Sequence, residues 1–253
     1  MMKPRERRLQ IESIIQMEGS VSVELLAERF AVSTETIRRD LSQLAEAGRI
    51  LKVHGGARSP RLMAEPSMAV RAAQASAEKI RIGQRLADAI EPGDTLFIDT
   101  GTTTLAAAPA LAAIAGLTVF TNSWQLAETL VRAGSDAAIH MLGGCYIAEN
   151  AQTVGPSALA QIGDFQADHC VLTVAALTPE IGAMDASHDE AQVARAMAAN
   201  AQNLIILADS SKLDRRAAYT ICRAEQIGLL ITDDHITPQT RMELDQRDVK
   251  VWT

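Results

Sequence analysis

Apolar positions in the first fifty residues recur with helical spacing. Leu9, Ile11, Ile14 and Ile15 mark a first amphipathic helix that stops at Glu18-Gly19. Ser22 stands where an N-cap belongs, with Glu24 in the following turn favoured by the helix dipole. Leu26 and Phe30, four positions apart, share the inner face of a second helix. Ala31-Val32-Ser33 leaves room for only a tight turn. Ser33 then caps a third helix in which Ile37, Leu41 and Leu44 face inward and Gly48 closes the run. Two short helices joined by about three residues are a helix-turn-helix arrangement. The segment after it, ILKVHGGARS (50–59), reads as a short strand pair turning at His54-Gly55-Gly56, a wing.

After about residue 75 the pattern changes. Short β-branched runs alternate with Ala-rich helical stretches: TLFID (95–99), LTVFT (117–121), AAIHML (137–142), CVLTV (170–174), NLIILAD (203–209), GLLITD (228–233) and VKVW (249–252). Apolar strands spaced by helices predict an α/β fold with a mostly parallel sheet covered on both faces. Between the regimes, residues 58–75 hold Pro60, Pro66 and mixed polarity and read as a linker. The expected organisation is a winged helix-turn-helix domain at 1–57, that linker, and an α/β domain at 76–253. The uncharged run Thr100–Ala127 is broken by Pro109, Gly116, Asn122 and Gln125. It reads as a buried strand and helix, because a membrane span needs about 20 predominantly apolar residues.

Composition narrows the classes. The 253 residues are 47% hydrophobic and 22% charged, which excludes disordered and fibrous chains. The net charge of −7 hides an asymmetry, +2 over residues 1–58 and −9 over 59–253, so nucleic acid is sought at the first segment. Cys145, Cys170 and Cys222 are far apart with no C-x-x-C, which excludes a disulfide framework or zinc site and fits a reducing compartment. The opening MMKPRERRLQ has no apolar stretch behind it, so a cytoplasmic location is expected. The five histidines show no ligand or catalytic spacing, and neither metal nor cofactor is expected.

With Ile37, Leu41 and Leu44 inward, Arg39, Ser42 and Glu35 point away from the core. Arg38 and Thr36 flank them, and Ser33 and Thr34 sit at the N-terminal end. In this motif that end enters the major groove, where Arg reads guanine or phosphate and Ser or Thr bonds either. Lys52, His54 and Arg58 on the wing would lie along the phosphate backbone. A protein-docking module with a solvated Arg pair fits the same periodicity.

In the larger domain the sharpest feature is FIDTGTTTLAAAPAL (97–111): strand, small polar loop, helix. Gly101 allows close approach, the hydroxyls of Thr100, Thr102, Thr103 and Thr104 add donors, and the helix start offers N–H groups to an anion. Neither a Walker loop nor G-x-G-x-x-G is present. The construction recurs at Asn122 and Ser123. These hydroxyls serve an anion or merely cap helices. Gly143-Gly144, Gly155, Asp168, Glu190 and Asp209-Ser210-Ser211-Lys212 complete the candidates, Lys212 being the natural partner of a phosphate dianion.

VSVELLAERFAVSTETIRRDLSQLAEAGRILKVHGGA (21–57) resembles, almost position by position, the DNA-binding motif of the DeoR family of bacterial repressors. Leu25 departs from it, where many members carry a capping-box Glu. DTGTTT, TNS, LGG, VGPSA and LADSSK, in that order, resemble the effector domain of the same family, itself similar to the ribose-5-phosphate isomerase fold. The resemblance covers nearly the whole chain. It implies operator double-stranded DNA and a phosphorylated sugar or polyol as partners, with Thr100, Gly101, Thr102, Thr103, Asn122, Ser123 and Lys212 lining the effector site. Ala175 and Thr178 stand where many members have acids, and Ala194-Arg195-Ala196 where many have Lys-Arg-Ala. These changes argue against the alternative, an isomerase-type enzyme with an accessory DNA-binding segment, which would need a carboxylate base. Asp185 or Glu190 then bonds the effector's hydroxyls. GAMDASHDEAQVARAM (182–197) looks closer to the glycerol-3-phosphate repressor type. Paired DNA half-sites imply a homodimer or homotetramer.

Overall fold

The computed structural model describes residues 4–46, 50–58 and 65–253. The chain divides into two compact units, Met1–Val70 and Arg71–Thr253. In the first, α1 (Pro4–Glu18) leads to the short strand β1 (Ser20–Ser22), then α2 (Val23–Phe30), α3 (Thr34–Glu46) and the hairpin of β2 (Leu51–Val53) and β3 (Gly56–Arg58). Ile11, Ile14 and Ile15 interlock with Leu26, Ile37, Leu41, Leu44, Ile50 and Ala57 in one core. The expected caps form: Leu25 N donates to Ser22 Oγ at 3.1 Å and Thr36 N to Ser33 Oγ at 3.2 Å. Ala31 ends α2 in the left-handed conformation at φ +50°. Gly48, Ser59 and Pro60 lie outside the described residues.

Two features depart from the sequence pattern. β1 pairs with β3, so the wing is three-stranded rather than a simple pair. Gly56 makes this possible, because a Cβ there would lie 2.2 Å from the Val21 carbonyl oxygen. Leu9, expected on the inner face of α1, is 54% exposed. At about 100° per residue it lies on the far side from Ile11. Arg7, four before Ile11, takes the inner position and is buried because Asp40 on α3 receives it at 2.6 Å.

Within the expected linker, α4 (Met68–Ala73) crosses the division between the units. Past Pro66 the composition turns to Met, Ala and Arg, good helix formers.

The second unit continues with α5 (Ser76–Ala87), β4 (Thr95–Ile98), α6 (Thr102–Leu111), β5 (Thr118–Thr121), α7 (Trp124–Arg132) and β6 (Ala138–Met141). A hairpin of β7 (Cys145–Ile147) and β8 (Gln152–Val154) precedes α8 (Pro156–Gly163) and the central strand β9 (Ala167–Thr173). Then come β10 (Ala176–Thr178), β11 (Gly182–Asp185), α9 (His188–Ala199), β12 (Ala201–Leu207), β13 (Tyr219–Cys222), β14 (Leu229–Ile231), α10 (Pro238–Asp245) and β15 (Lys250–Trp252).

Seven strands form one sheet in the order β15-β14-β12-β9-β4-β5-β6, with every neighbouring pair parallel. Successive residues feed opposite cores. Leu96, Ile98 and Val171 meet Ile82, Leu86, Leu111 and Leu126 on one face. Phe97, Cys170 and Leu172 meet Ile162, Ala191 and Met197 on the other. Such alternation with no polar face is why the strand runs read as continuously apolar. A small antiparallel sheet, β10-β11-β13, stands apart from it. Its strands of three and four residues are too short to declare a period. Among the described residues no helix is long and apolar enough to cross a membrane, and Cys145, Cys170 and Cys222 are all free thiols.

Candidate functional site

The outer face of α3 is as projected. Ser33, Glu35, Arg38 and Arg39 are exposed, and Thr34 and Thr36 half-exposed. Arg39 faces Glu35 at 3.7 Å with both side chains mostly in solvent, a pair worth little in stability and easily opened by a stronger anion. Ser42 is engaged: its hydroxyl donates to the Arg38 carbonyl at 2.9 Å and accepts from Lys52 Nζ at 3.0 Å. That bond holds the wing's cation beside α3, so Ser42 places Lys52. His54 is exposed in the turn between β2 and β3, while Arg58 is half-buried on β3. Sequence reasoning missed Arg7 and Asp40, whose buried pair is joined by Arg8 NH1 at 3.4 Å from Asp40 Oδ1. Arg38-Arg39 reads as an exposed face, and only helical phase turns the next residue, Asp40, inward.

In the second unit the strand ends at β4, β5 and β9 converge. Gly101 lies in extended backbone at φ −174°, so space rather than conformation demands glycine. A Cβ there would sit 2.1 Å from Thr173 Oγ1. Through this approach the Asp99 carboxylate accepts the Thr173 backbone N–H at 3.1 and 3.0 Å. α6 starts at glycine without a side-chain cap, whereas Ser123 does cap α7, accepting Leu126 N at 3.3 Å. The Thr104 hydroxyl is wholly buried and donates to the carbonyls of Asp99 and Gly101, shaping the loop from within. Thr100 and Thr103 are buried and Thr102 half-exposed. The Thr100 hydroxyl donates to Asn122 Oδ1 at 3.5 Å, and Asn122 Nδ2 donates to Gln152 Oε1 at 3.3 Å and to the Thr153 carbonyl at 3.0 Å.

Glu190, one turn into α9, joins this group. Its Oε1 accepts from Gln152 Nε2 at 2.7 Å and Asn150 Nδ2 at 2.8 Å. Asp185 accepts Ser187 N at 2.8 Å. Asp185 and Glu190 both act on Asp99 as like charges. Burial first, and then these two neighbours, push the Asp99 carboxyl well above the usual carboxylate value, with the Thr173 N–H opposing the rise. Cys170 beneath Asp99 is pushed up by burial, by that carboxylate and by Cys222. Burial also lifts Cys222 to about 11, so neither thiol is a nucleophile.

Gly143 N donates to Gln161 Oε1 at 3.0 Å, and Gly144 is exposed at φ +150°. Lys212 is half-buried in the 3-10 turn Ser210–Lys212 after β12. With β9 between them, β12 and β4 lie about 10 Å apart at ordinary strand spacing, so the lysine approaches from a separate strand end. Asp99, Asn150, Gln152 and Thr173 were missed. Asp99 stood in the quoted DTGTTT run and reads as the last residue of an apolar strand. Asn150 and Gln152 lie in a loop and a three-residue strand without a motif.

A family profile described as "DeoR-like helix-turn-helix domain" matches residues 7–61, and "DeoR C terminal sensor domain" matches 74–234. The HTH-type transcriptional regulator YgbI of Escherichia coli is 32% identical over 99% of this chain and 98% of its own. The glycerol-3-phosphate regulon repressor of E. coli is 33% identical over 92% of each chain. Among solved structures, ribose 5-phosphate isomerase A of Methanocaldococcus jannaschii superposes with a TM-score of 0.41 at 11% identity, over 55% of each chain. The two profiles fall on the two units in chain order, one on the winged helices and one on the parallel sheet, and the relatives match end to end. The chain belongs to the DeoR family of helix-turn-helix transcriptional regulators.

Proposed function

We propose that this chain is a cytoplasmic repressor of a carbohydrate or polyol catabolic operon, acting as a homodimer or homotetramer and relieved by a phosphorylated sugar or polyol. The observation that carries the reading is one chain holding both an Arg38-Arg39 face on α3 and an uncapped helix start at Gly101–Thr102 at the carboxyl ends of a parallel sheet. Open α/β sheets bind ligands at that edge. Thr102 and the α6 amides receive the phosphate, Lys212 approaches its charge from β12, and Asp185 and Glu190 accept from hydroxyls. Thr34, Thr36, Arg38 and Arg39 enter the major groove, and Lys52 and His54 follow the backbone. A ligand favouring a body arrangement unsuited to DNA weakens operator binding by its differential affinity, typically about 1–3 kcal/mol.

The relative's name makes glycerol 3-phosphate the first compound to try. Fluorescence anisotropy with DNA from upstream of the chain's own gene reads binding, and titration with glycerol, ribose and fructose phosphates reads release. Saturable binding reversed by one phosphorylated compound but not its unphosphorylated parent is expected. Binding indifferent to all of them would end the sensor reading.

A further inference from the structure

Six side chains make one continuous hydrogen-bonded chain from the Thr100 loop to Arg71, where the second unit begins. The Thr100 hydroxyl donates to Asn122, Asn122 to Gln152, and Gln152 to Glu190 Oε1, at 3.5, 3.3 and 2.7 Å. From the other end Arg71 donates to Asn150 Oδ1 at 3.2 Å, and Asn150 Nδ2 donates to the same Glu190 oxygen at 2.8 Å. Every amide in the chain accepts through its oxygen and donates through its nitrogen, so each side chain carries one link in and one link out. Turning one amide therefore costs both of its links.

The two ends differ in strength. At 3.5 Å the Thr100 link is at the long limit of a hydrogen bond, so a better acceptor takes the hydroxyl cheaply. A phosphate oxygen is such an acceptor. At the far end the backbone is clamped. The buried Lys79 of α5 donates from Nζ to the Arg71 and Gln74 carbonyls, fixing the end of α4 on the start of α5. Arg71 thus joins the chain on α4, the helix that crosses from the DNA-binding unit into the sensor.

We propose that Asn150 is the joint through which occupancy of the Thr100 loop is passed to α4. An acceptor that captures the Thr100 hydroxyl empties Asn122 Oδ1 and leaves Nδ2 shared between Gln152 and the Thr153 carbonyl; as that share moves toward Thr153, Gln152 is loosened and the load on Glu190 shifts to Asn150 and Arg71. Only the nature of the trigger rests on the proposed function. The chain itself rests on the bonds above.

Hydrogen exchange on the full chain without ligand tests it. Asn122→Ala, at the loop end, should speed exchange of the amides of residues 71–79 by about threefold or more, with protection of β4 and β9 unchanged. Glu190→Ala should do the same, and Glu190→Gln, which keeps an accepting oxygen, should restore protection. Asn150→Asp keeps an acceptor for Arg71 but faces Glu190 with a carboxylate, and should match Glu190→Ala. Native exchange at 71–79 in both alanine variants overturns the proposal. So does Glu190→Gln behaving like Glu190→Ala. If the exchange results hold while no phosphorylated compound releases DNA, the effector reading falls and the joint stands. Release by glycerol 3-phosphate with unchanged exchange gives the reverse.

Discussion

Asp40 Oδ2 accepts from Arg7 Nε across 2.6 Å, with both side chains almost wholly out of water, so an ion pair pins α3 to α1 beneath the face that carries Arg39. Removing one partner leaves the other charge buried and alone, at a cost of about 3–5 kcal/mol, whereas replacing both with apolar residues is often neutral. Asp40→Ala should therefore lower the urea midpoint of the helical signal steeply, and Arg7→Met with Asp40→Leu should recover most of it. A loss below about 1 kcal/mol in Asp40→Ala, the level of a surface pair, would contradict the buried assignment.

Arg39 stands in solvent opposite Glu35, so its truncation leaves the fold untouched. Arg39→Ala should weaken operator binding by about 1–3 kcal/mol, and Lys52→Ala should lower the salt dependence by about one ion. Anisotropy across a salt series separates the two, and native affinity in a folded Arg39→Ala protein removes that residue from the DNA face.

Gly101→Ala places a methyl against Thr173 Oγ1, a side chain held by its bonds to Asp99 and the Thr100 carbonyl. The variant should melt lower and lose its response to phosphorylated ligand while still binding operator. Adding Thr173→Ala opens the space and should return part of the thermal stability. A single variant with native melting and native response would mean that the loop does not need this approach.

The Asp99 carboxyl sits above its ordinary value of 3.8, because burial and two acidic neighbours penalise its charge. A raised folded value means that the contribution to stability is intact below pH of about 3.8 and is lost as pH climbs through the folded value. Asn does not titrate. Asp99→Asn should therefore gain on the native chain with each step in pH from about 4 upward, levelling off beyond the folded value, in thermal melts at matched ionic strength. A stability difference constant with pH would show that Asp99 is not perturbed.

Lys212→Ala should leave operator affinity unchanged and abolish release by the phosphorylated ligand. Release at the native ligand concentration would show that another group holds the phosphate.

Much of this architecture was legible in one sequence because burial on both faces writes the strands of the parallel sheet as unbroken apolar runs. The helices of the N-terminal unit announce themselves through Ser22, Ser33 and the Ile37–Leu41–Leu44 stripe. Legibility failed where partners are distant. Arg7 looks like one of several basic residues until Asp40 is brought to it, and Leu9 looks like core until Arg7 displaces it. Gln152 and Asn150 carry no local signature because their role is defined by Glu190, some 40 positions away. Strands β10, β11 and β13 are too short for a period, and their pairing is set by chain crossings that no local pattern records.

The position of β9 in the middle of the sheet has a consequence for biosynthesis. Leu96 of β4 pairs with His169, so the sheet cannot close at its centre until the ribosome has delivered β9. The last strand of the winged unit ends at Arg58. At about 5–20 residues per second the interval is roughly 6–23 s. During that time a nascent chain carries a winged unit complete in its strands beside a sheet still missing its central strand.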